Sequence, residues 1–371
     1  MGKNVGDVKL EDFDYDLPEE AIAQTPVEPR DAARLLVDRG PGRQPDHRVV
    51  ADLPLLVRPG DAIVINTTRV LSARLRLQKA TGGTVEILLL EPIADSADNT
   101  DPPDTWEALV RPGRRVAPGT ALTAGGGLVV TVGGPGSGDG TRRVTLQMPT
   151  GLDPTEALAR YGLVPLPPYI GTPLADPERY QTVYAERPES VAAPTAGLHL
   201  TAGVLDACRA AGADIVPLEL AVGLGTFRPI AAPRVEDHRL HPERYRIPST
   251  TLDACRSARR VVAIGTTVVR ALEASAVGGE LAGRTGLFIH RPFDWQVVDV
   301  LLTNFHLPRS SLLVLLDAFM GPRWRELYGI ALMKGYRFLS FGDAMVVSRG
   351  DGFSELRGDQ APGKPSSGGA V

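Results

Sequence analysis

Two textures alternate along the chain. Between about residues 72 and 150, short apolar–polar alternations such as Thr84 to Leu90 and Leu128 to Val132 are separated by Gly-rich turns, Thr81-Gly82-Gly83 and Gly125-Gly126-Gly127. A period of two places alternate side chains on one face, so this stretch predicts an all-β unit, a small barrel or sandwich. On either side the period lengthens. Leu198 to Ala211 has helical spacing and stops at Gly212, a residue suited to the left-handed position after a helix. Ile215 to Val222 and Arg260 to Ile264 read as strands, the second followed at once by a helical Thr266 to Ala276. Val297 to Leu302 reads as another strand, followed after a loop by a helical Ser310 to Phe319. Strands alternating with helices argue for a layered α/β domain with a mostly parallel sheet. The expected architecture is an α/β domain (1–71 and 151–349) interrupted by a small inserted β domain (72–150), a barrel or a sandwich. The first few residues, the polar stretch Asp95 to Asp104 and a small-residue tail over 350–371 are expected to be disordered.

Composition changes this picture little. At 371 residues the chain has room for two domains, and 43% hydrophobic with 23% charged residues is ordinary for a globular protein. No run is long and apolar enough to span a bilayer, and the N-terminal Met1-Gly2-Lys3-Asn4 leads into acidic residues rather than a signal core. Two cysteines, Cys208 and Cys255, both in stretches that read as helix, make neither a disulfide framework nor a metal site. A reducing cytoplasm is the expectation. A net charge of −4 is unlike a dedicated nucleic-acid binder, so any RNA contact must come from a local patch. Arg111, Arg114 and Arg115, with Arg142 and Arg143, offer one in the β unit, either as solvated surface or as phosphate contacts.

Candidate chemistry lies in loops that follow strands, where open α/β sheets bind ligands. Gly265-Thr266-Thr267 opens a helix, where free amides attract an anion and either threonine can cap. Arg270, one turn on, can fork onto the same anion or lie on a solvated face. In Thr303-Asn304-Phe305-His306-Leu307-Pro308 the alternatives are a proton-carrying His306 and a structural turn capped by Asn304. Ala193-Pro194-Thr195-Ala196-Gly197-Leu198-His199 has small residues that admit a ligand, with His199 as a site residue or a satisfied core histidine. Gly223-Leu224-Gly225-Thr226-Phe227 resembles a nucleotide loop lacking its third glycine. His238, His241 and Glu243 have metal-like spacing, but with no further Cys or His nearby, hydrogen bonding or acid–base work is the expectation and no metal is expected.

These motifs stand in an order that resembles the S-adenosylmethionine:tRNA ribosyltransferase-isomerase family of queuosine biosynthesis. The resemblance begins with Asp12-Phe13-Asp14-Tyr15-Asp16-Leu17-Pro18, Ala23-Gln24, Pro29-Arg30-Asp31 and Asn66-Thr67-Thr68-Arg69-Val70. It continues through Leu166-Pro167-Pro168-Tyr169-Ile170, Arg179 to Ala185, Pro194 to His199, Gly225-Thr226-Phe227, Gly265-Thr266-Thr267 and Thr303 to Pro308. Tyr336-Arg337-Phe338 and Asp343-Ala344-Met345 close it. The resemblance implies an enzyme that moves the ribosyl part of S-adenosylmethionine onto 7-aminomethyl-7-deazaguanine in a tRNA anticodon, giving epoxyqueuosine and releasing adenine and methionine. It also implies a layered α/β domain carrying an inserted β-barrel; a monomer with no membrane attachment is expected. His199 and His306 are then the expected proton carriers, with Asp343 and Glu243 as lesser candidates. Thr195, Gly197, Gly225, Thr226, Gly265, Thr266, Thr267, Arg270 and Asn304 are expected to hold the cosubstrate or the acceptor base.

The chain departs from the family pattern at polar positions. Thr67 stands where Asp or Asn is usual, Ala221 where His is usual, and Val268 where Ser is usual. Thr285-Gly286 replaces Thr-Asp, and His290-Arg291-Pro292 replaces Tyr-Pro-Gly. Lost hydrogen-bonding groups can change which acceptor is recognised. Two further readings follow: a relative that hands ribose to another acceptor, and a non-catalytic S-adenosylmethionine- or RNA-binding paralogue.

Overall fold

The structure is a computed structural model that describes residues 9–93, 104–138, 140–223, 230 and 234–349. The segment 95–103 and the tail 350–371 lie outside the described residues. Before the insertion come β1 (Arg34–Val37), β2 (Asp46–Val49), β3 (Asp61–Asn66) and β4 (Thr68–Val70). The inserted unit is built from β5 (Arg74–Lys79), β6 (Thr84–Pro92), β7 (Thr105–Arg111), β8 (Thr120–Thr123), β9 (Val129–Pro135) and β10 (Arg142–Gln147). Helix α1 (Pro154–Tyr161) and β11 (Gly162–Leu163) follow. The chain then returns through β12 (Arg187–Ser190), α2 (Ala202–Ala210), β13 (Asp214–Leu220), β14 (Glu243–Arg246), α3 (Ser249–Ser257) and β15 (Arg260–Ile264). It ends with α4 (Thr266–Gly278), β16 (Ala282–Thr285), β17 (Val300–Asn304), α5 (Ser311–Met320), α6 (Trp324–Met333) and β18 (Ala344–Ser348).

The inserted unit is a closed barrel. Its strands run β5-β6-β7-β10-β9-β8, and β8 pairs back onto β5 at Gln78↔Thr123 and Lys79↔Leu122. Closure removes the free edges that a short sheet would expose. The alternation seen in the sequence sends Leu75, Leu77, Val85, Ile87, Val130 and Val132 into the barrel core. Packing continues past residue 150, because Leu158 of α1 joins this core and β11 pairs with β5. Helix α1 starts at a reciprocal cap: Glu156 N donates to Asp153 (2.8 Å) while Asp153 N donates to Glu156 (3.1 Å).

The α/β domain is a nine-stranded sheet in the order β16-β14-β13-β3-β15-β17-β18-β1-β2. The four central strands β13, β3, β15 and β17 are mutually parallel. Their residues alternate between two cores. Val64, Leu218, Ala263 and Leu301 face α4 to α6, while Ile63, Ile65, Val262 and Leu302 face α2 and the 3-10 turn Val50–Leu55. Burial on both faces is why these strands read as continuous apolar runs. The sheet is mixed rather than mostly parallel, since β1–β2, β13–β14, β14–β16 and β17–β18 pair antiparallel. The link from β1 to β2 is too short for a crossover. Between β17 and β18 a pair of helices returns the chain to the edge it left.

The helix expected over Leu198 to Ala211 begins later, at Ala202, because Thr201 accepts from Val204 N (3.2 Å) and caps it there. The preceding Thr195–His199 is instead a 3-10 turn. Cys208 and Cys255 lie in α2 and α3, both buried and unbridged.

Candidate active site

The carboxyl ends of the parallel strands β3, β13, β15 and β17 meet at one edge of the sheet, and most of the expected site residues gather there. β3 ends in Asn66, β15 runs into Gly265, β17 ends in Asn304, and the Thr195–His199 turn packs across them. Gly265 adopts φ 93° and ψ 156°, a backbone conformation open to glycine, and a Cβ there would sit 3.4 Å from that of Ala196. It serves as the N-cap of α4 with no side-chain cap bond, so neither Thr266 nor Thr267 is the cap. Thr267 Oγ1 instead accepts from Asn66 (3.4 Å). Asn66 is a buried hub: its amide also donates to Leu220 O (3.0 Å), and its oxygen accepts from Leu220 N (3.1 Å) and Thr68. It ties β3, β13 and α4 together beneath the site.

Asn304 organises the second part. Its Nδ2 donates to Leu339 O (3.1 Å) and lies 2.9 Å from His199 Nε2, and its Oδ1 accepts from Thr195 Oγ1 (3.0 Å). A carbonyl cannot donate, so Leu339 O fixes which end of the amide is nitrogen. Both amide protons are then committed, one to Leu339 and one to His199, and His199 Nε2 must be the acceptor. The ring proton of neutral His199 therefore sits on Nδ1. Burial, followed by the charges of Arg337, Arg179 and Arg30, pushes the His199 pKa down to about 4. His199 shares a small cavity with Arg30, Arg179, Ser340 and Phe341. These arginines were not foreseen, although Arg30 and Arg179 stand in family-like motifs; what sequence hides is that segments some 150 residues apart converge on one imidazole.

His306 is buried two residues beyond Asn304. Its Nε2 lies 2.9 Å from Thr303 Oγ1, its backbone N donates to the Tyr328 hydroxyl (2.9 Å), and its carbonyl accepts from the Tyr15 hydroxyl. Burial pushes its pKa down to about 3. Both imidazoles are thus neutral at pH 7, and His306 as folded is no proton shuttle near neutrality. Asn304 does not cap α5 either; Ser310 does, accepting from Leu313 N (3.3 Å).

Glu243 and Arg270 form a buried ion pair. Glu243 also accepts from Gly223 N (2.8 Å), which anchors the start of the glycine loop. Arg270 is therefore neither on a solvated face nor free to fork onto an anion as folded, though its buried Nε has no partner among the described residues. Gly225 and Thr226 lie outside the described residues. Asp343 is buried, and its two oxygens accept from Arg34 N (2.9 Å) and Arg337 N (2.8 Å), a clamp between β1 and the segment before β18. Gly197 is small for packing reasons, since a Cβ would lie 2.1 Å from the Tyr184 hydroxyl. His238 and His241 separate from Glu243: the first packs edge-on to Phe288 (5.2 Å between centroids), the second approaches Gly138 of the barrel.

Of the positions that depart from the family pattern, Thr67 and Val268 are buried, Ala221 and His290 half-buried, and Gly286, Arg291 and Pro292 exposed. Val268 is fully buried in the core around α4, Thr67 Oγ1 donates to Leu218 O (3.4 Å), and Ala221 N donates to Arg244 O (2.9 Å). A Cβ on Gly286 would meet Leu240 O at 3.2 Å. In the 290–292 stretch, Arg291 pairs with Asp317 (2.6 Å).

The chain folds as a layered α/β unit whose candidate site lies at the parallel strand ends and whose insertion is a six-stranded barrel. The chain belongs to the family described as queuosine biosynthesis protein, whose model matches residues 10–347. It is 47% identical over 345 residues to the S-adenosylmethionine:tRNA ribosyltransferase-isomerase of Rubrobacter xylanophilus, covering 92% of this chain and 98% of that protein. To the protein of the same name from Gloeobacter violaceus it is 46% identical, covering 93% and 97%. The crystal structure of S-adenosylmethionine tRNA ribosyltransferase from Thermotoga maritima superposes with a TM-score of 0.50 at 35% identity, covering 90% of this chain and 99% of that one. No helix among the described residues is long and apolar enough to cross a membrane.

Proposed function

We propose that this chain is an S-adenosylmethionine:tRNA ribosyltransferase-isomerase, which transfers and isomerises the ribosyl unit of S-adenosylmethionine onto 7-aminomethyl-7-deazaguanine in a tRNA anticodon. The product is epoxyqueuosine, with adenine and methionine released. The observation that carries the reading is similarity at 43–47% identity over at least nine-tenths of the chain, to relatives that bear this one name.

The chemistry sets demands that the site residues suit. The sulfonium acidifies the adjacent 5′ carbon, so a nearby base can start ring opening, and adenine leaves more readily when hydrogen bonding or protonation relieves its developing charge. The acceptor amine attacks only when neutral, which a desolvated pocket favours. His199, held neutral with its proton on Nδ1, is suited to donate a hydrogen bond to a leaving or attacking group rather than to act as a strong acid. Glu243 is a second candidate to take a proton; as folded, Arg270 and Gly223 fix its orientation and engage both of its oxygens. Asp343, with both oxygens engaged by backbone, is a positioning residue in this scheme. Thr195, Asn304, Thr266, Thr267 and the amides after Gly265 form the wall against which the cosubstrate lies. The protein acts as a monomer in the cytoplasm, its site being built within one chain.

The test is adenine release from S-adenosylmethionine with and without tRNA carrying the modified base. Release that needs that tRNA, with a matching mass gain on its anticodon, is expected. Release without any mass gain on the tRNA would overturn the proposed acceptor.

A further inference from the structure

We infer that the end of the barrel remote from the α/β domain is a docking surface for the phosphodiester backbone of RNA, built by Arg76, Arg111, Arg114 and Arg115. The inference rests on the tRNA reading above and names where the RNA is held. Arg76 and Arg111 flank Glu86 in one cross-strand row, through the pairs Arg76↔Glu86 and Glu86↔Arg111, and both are exposed. Arg114 and Arg115 occupy the 3-10 turn Gly113–Arg115 that leaves β7, also exposed.

The turn is held rather than loose. Lys79 donates to Arg115 O, and Arg142 donates to Val116 O (3.2 Å) and to Gly133 O (3.0 Å). Arg142 therefore belongs to the support of the patch, not to its surface. None of the four presenting guanidinium groups has a side-chain partner among the described residues. By contrast, Arg69, Arg179, Arg246, Arg260, Arg309 and Arg323 are held in ion pairs.

The opposite end of the same strands is chemically different. Glu91 and Glu107 are cross-strand partners there. Glu91 pairs with Arg284 of β16 (2.9 Å), and Glu107 accepts from Ser137 (2.6 Å) and Gly138 N (2.7 Å). At the junction Glu91 is engaged by the α/β domain and Glu107 by the barrel's own 137–138 turn, while the four arginines of the remote end have no side-chain partner among the described residues. In a chain of net charge −4, such a localised positive end attracts and orients a polyanion, and a row of guanidiniums suits phosphates. The junction leads to the site, because Arg284 neighbours Thr285, which pairs with Glu243. From Glu86 to Glu91 the strand spans roughly 17 Å, a reach of several nucleotides. RNA gripped at the remote end can thus present a more distant base to the catalytic edge.

The test compares wild type with R111Q/R114Q/R115Q, measuring tRNA affinity over a salt series together with KM and kcat for adenine release. Each lost phosphate contact should lower the slope of log affinity against log salt by about 0.7 to 0.9, so a slope shallower by about 2 to 3 is expected. KM for tRNA should rise roughly tenfold, an order-of-magnitude expectation from the same counterion effect. KM for S-adenosylmethionine and kcat at saturating tRNA should hold. The lysine variant R111K/R114K/R115K should keep the wild-type slope, whereas a folding defect would appear in both variants as a lowered Tm. R209Q/R256Q, on exposed faces of α2 and α3, should match wild type. Unchanged slope and KM in the glutamine variant, with active wild type, would overturn this docking surface and leave the functional reading intact. Wild type that neither binds nor uses tRNA would instead overturn that reading.

Discussion

Asn304 shows how one side chain sets the chemistry of another. Its amide is oriented by Leu339 O and so hands a proton to His199 Nε2. Asn304→Asp removes that donor and supplies a charged acceptor, which favours a proton on Nε2 and stabilises imidazolium. Nitrogen-15 NMR should find the wild-type proton on Nδ1 at pH 7 and move it to Nε2 in the variant; Nε2–H in wild type would refute the assignment. Adenine release should fall by about 100-fold, the lower range for loss of one positioned proton-handling group. The two buried imidazoles also make stability pH-dependent. Their folded pKa values, about 4 for His199 and about 3 for His306, lie below the ordinary unfolded value near 6.5. The unfolded chain therefore binds more protons in that interval, and stability present above pH 6.5 is lost as pH falls toward 4 and then 3. Urea midpoints measured at pH 7 and pH 5 should show this decline, and His306→Asn should flatten it.

At the scale of elements, the turn Thr195–His199 and the entry to α4 are held by close approach rather than by many bonds. Gly197→Ala would place a methyl 2.1 Å from the Tyr184 hydroxyl, so the turn must move. A loss of about 1–3 kcal/mol is expected, as for other overpacked sites. Because Thr195 and His199 ride on the same turn, adenine release should fall by more than stability alone explains. Gly265→Ala meets a different obstacle, a φ of 93° that a Cβ disfavours, worth about 1–3 kcal/mol. Chemical denaturation with activity measured in parallel separates the two effects; an alanine at either site that leaves both quantities unchanged would refute the argument.

Across the whole molecule, the barrel meets the α/β domain through the Arg284–Glu91 pair and the approach of His241 to Gly138. The pair is partly exposed, so a double-mutant cycle on Arg284→Ala and Glu91→Ala should give a stability coupling of only about 0.2–1 kcal/mol. Its effect on function should be larger and selective: KM for tRNA rises several-fold while KM for S-adenosylmethionine stays near wild type. A matching rise in both constants would mean that the pair supports the site itself rather than the placement of the barrel.

Period and composition alone determined the elements and their kinds. The alternation over 72–150 gave an all-β unit, which the β5–β8 pairing closes into a barrel; the run Arg260 to Ile264 gave β15 to the residue, and the following helical spacing gave α4. The polar loops after strands gather at the carboxyl edge of the parallel strands, because chain direction puts them there. What local sequence does not carry is the partner of each polar group. Arg270 reads as an anion fork until β14 places Glu243 against it, and Asp343 reads as an acid until Arg34 and Arg337 claim its oxygens. His199 and His306 read as neutral-pH proton carriers until burial lowers both pKa values, with three distant arginines adding to the shift at His199. Sheet direction at the margins was likewise decided by how the chain returns, not by any strand's own residues. Hydrophobic period is a property of neighbours in sequence, whereas charge state, tautomer and strand pairing are properties of neighbours in space.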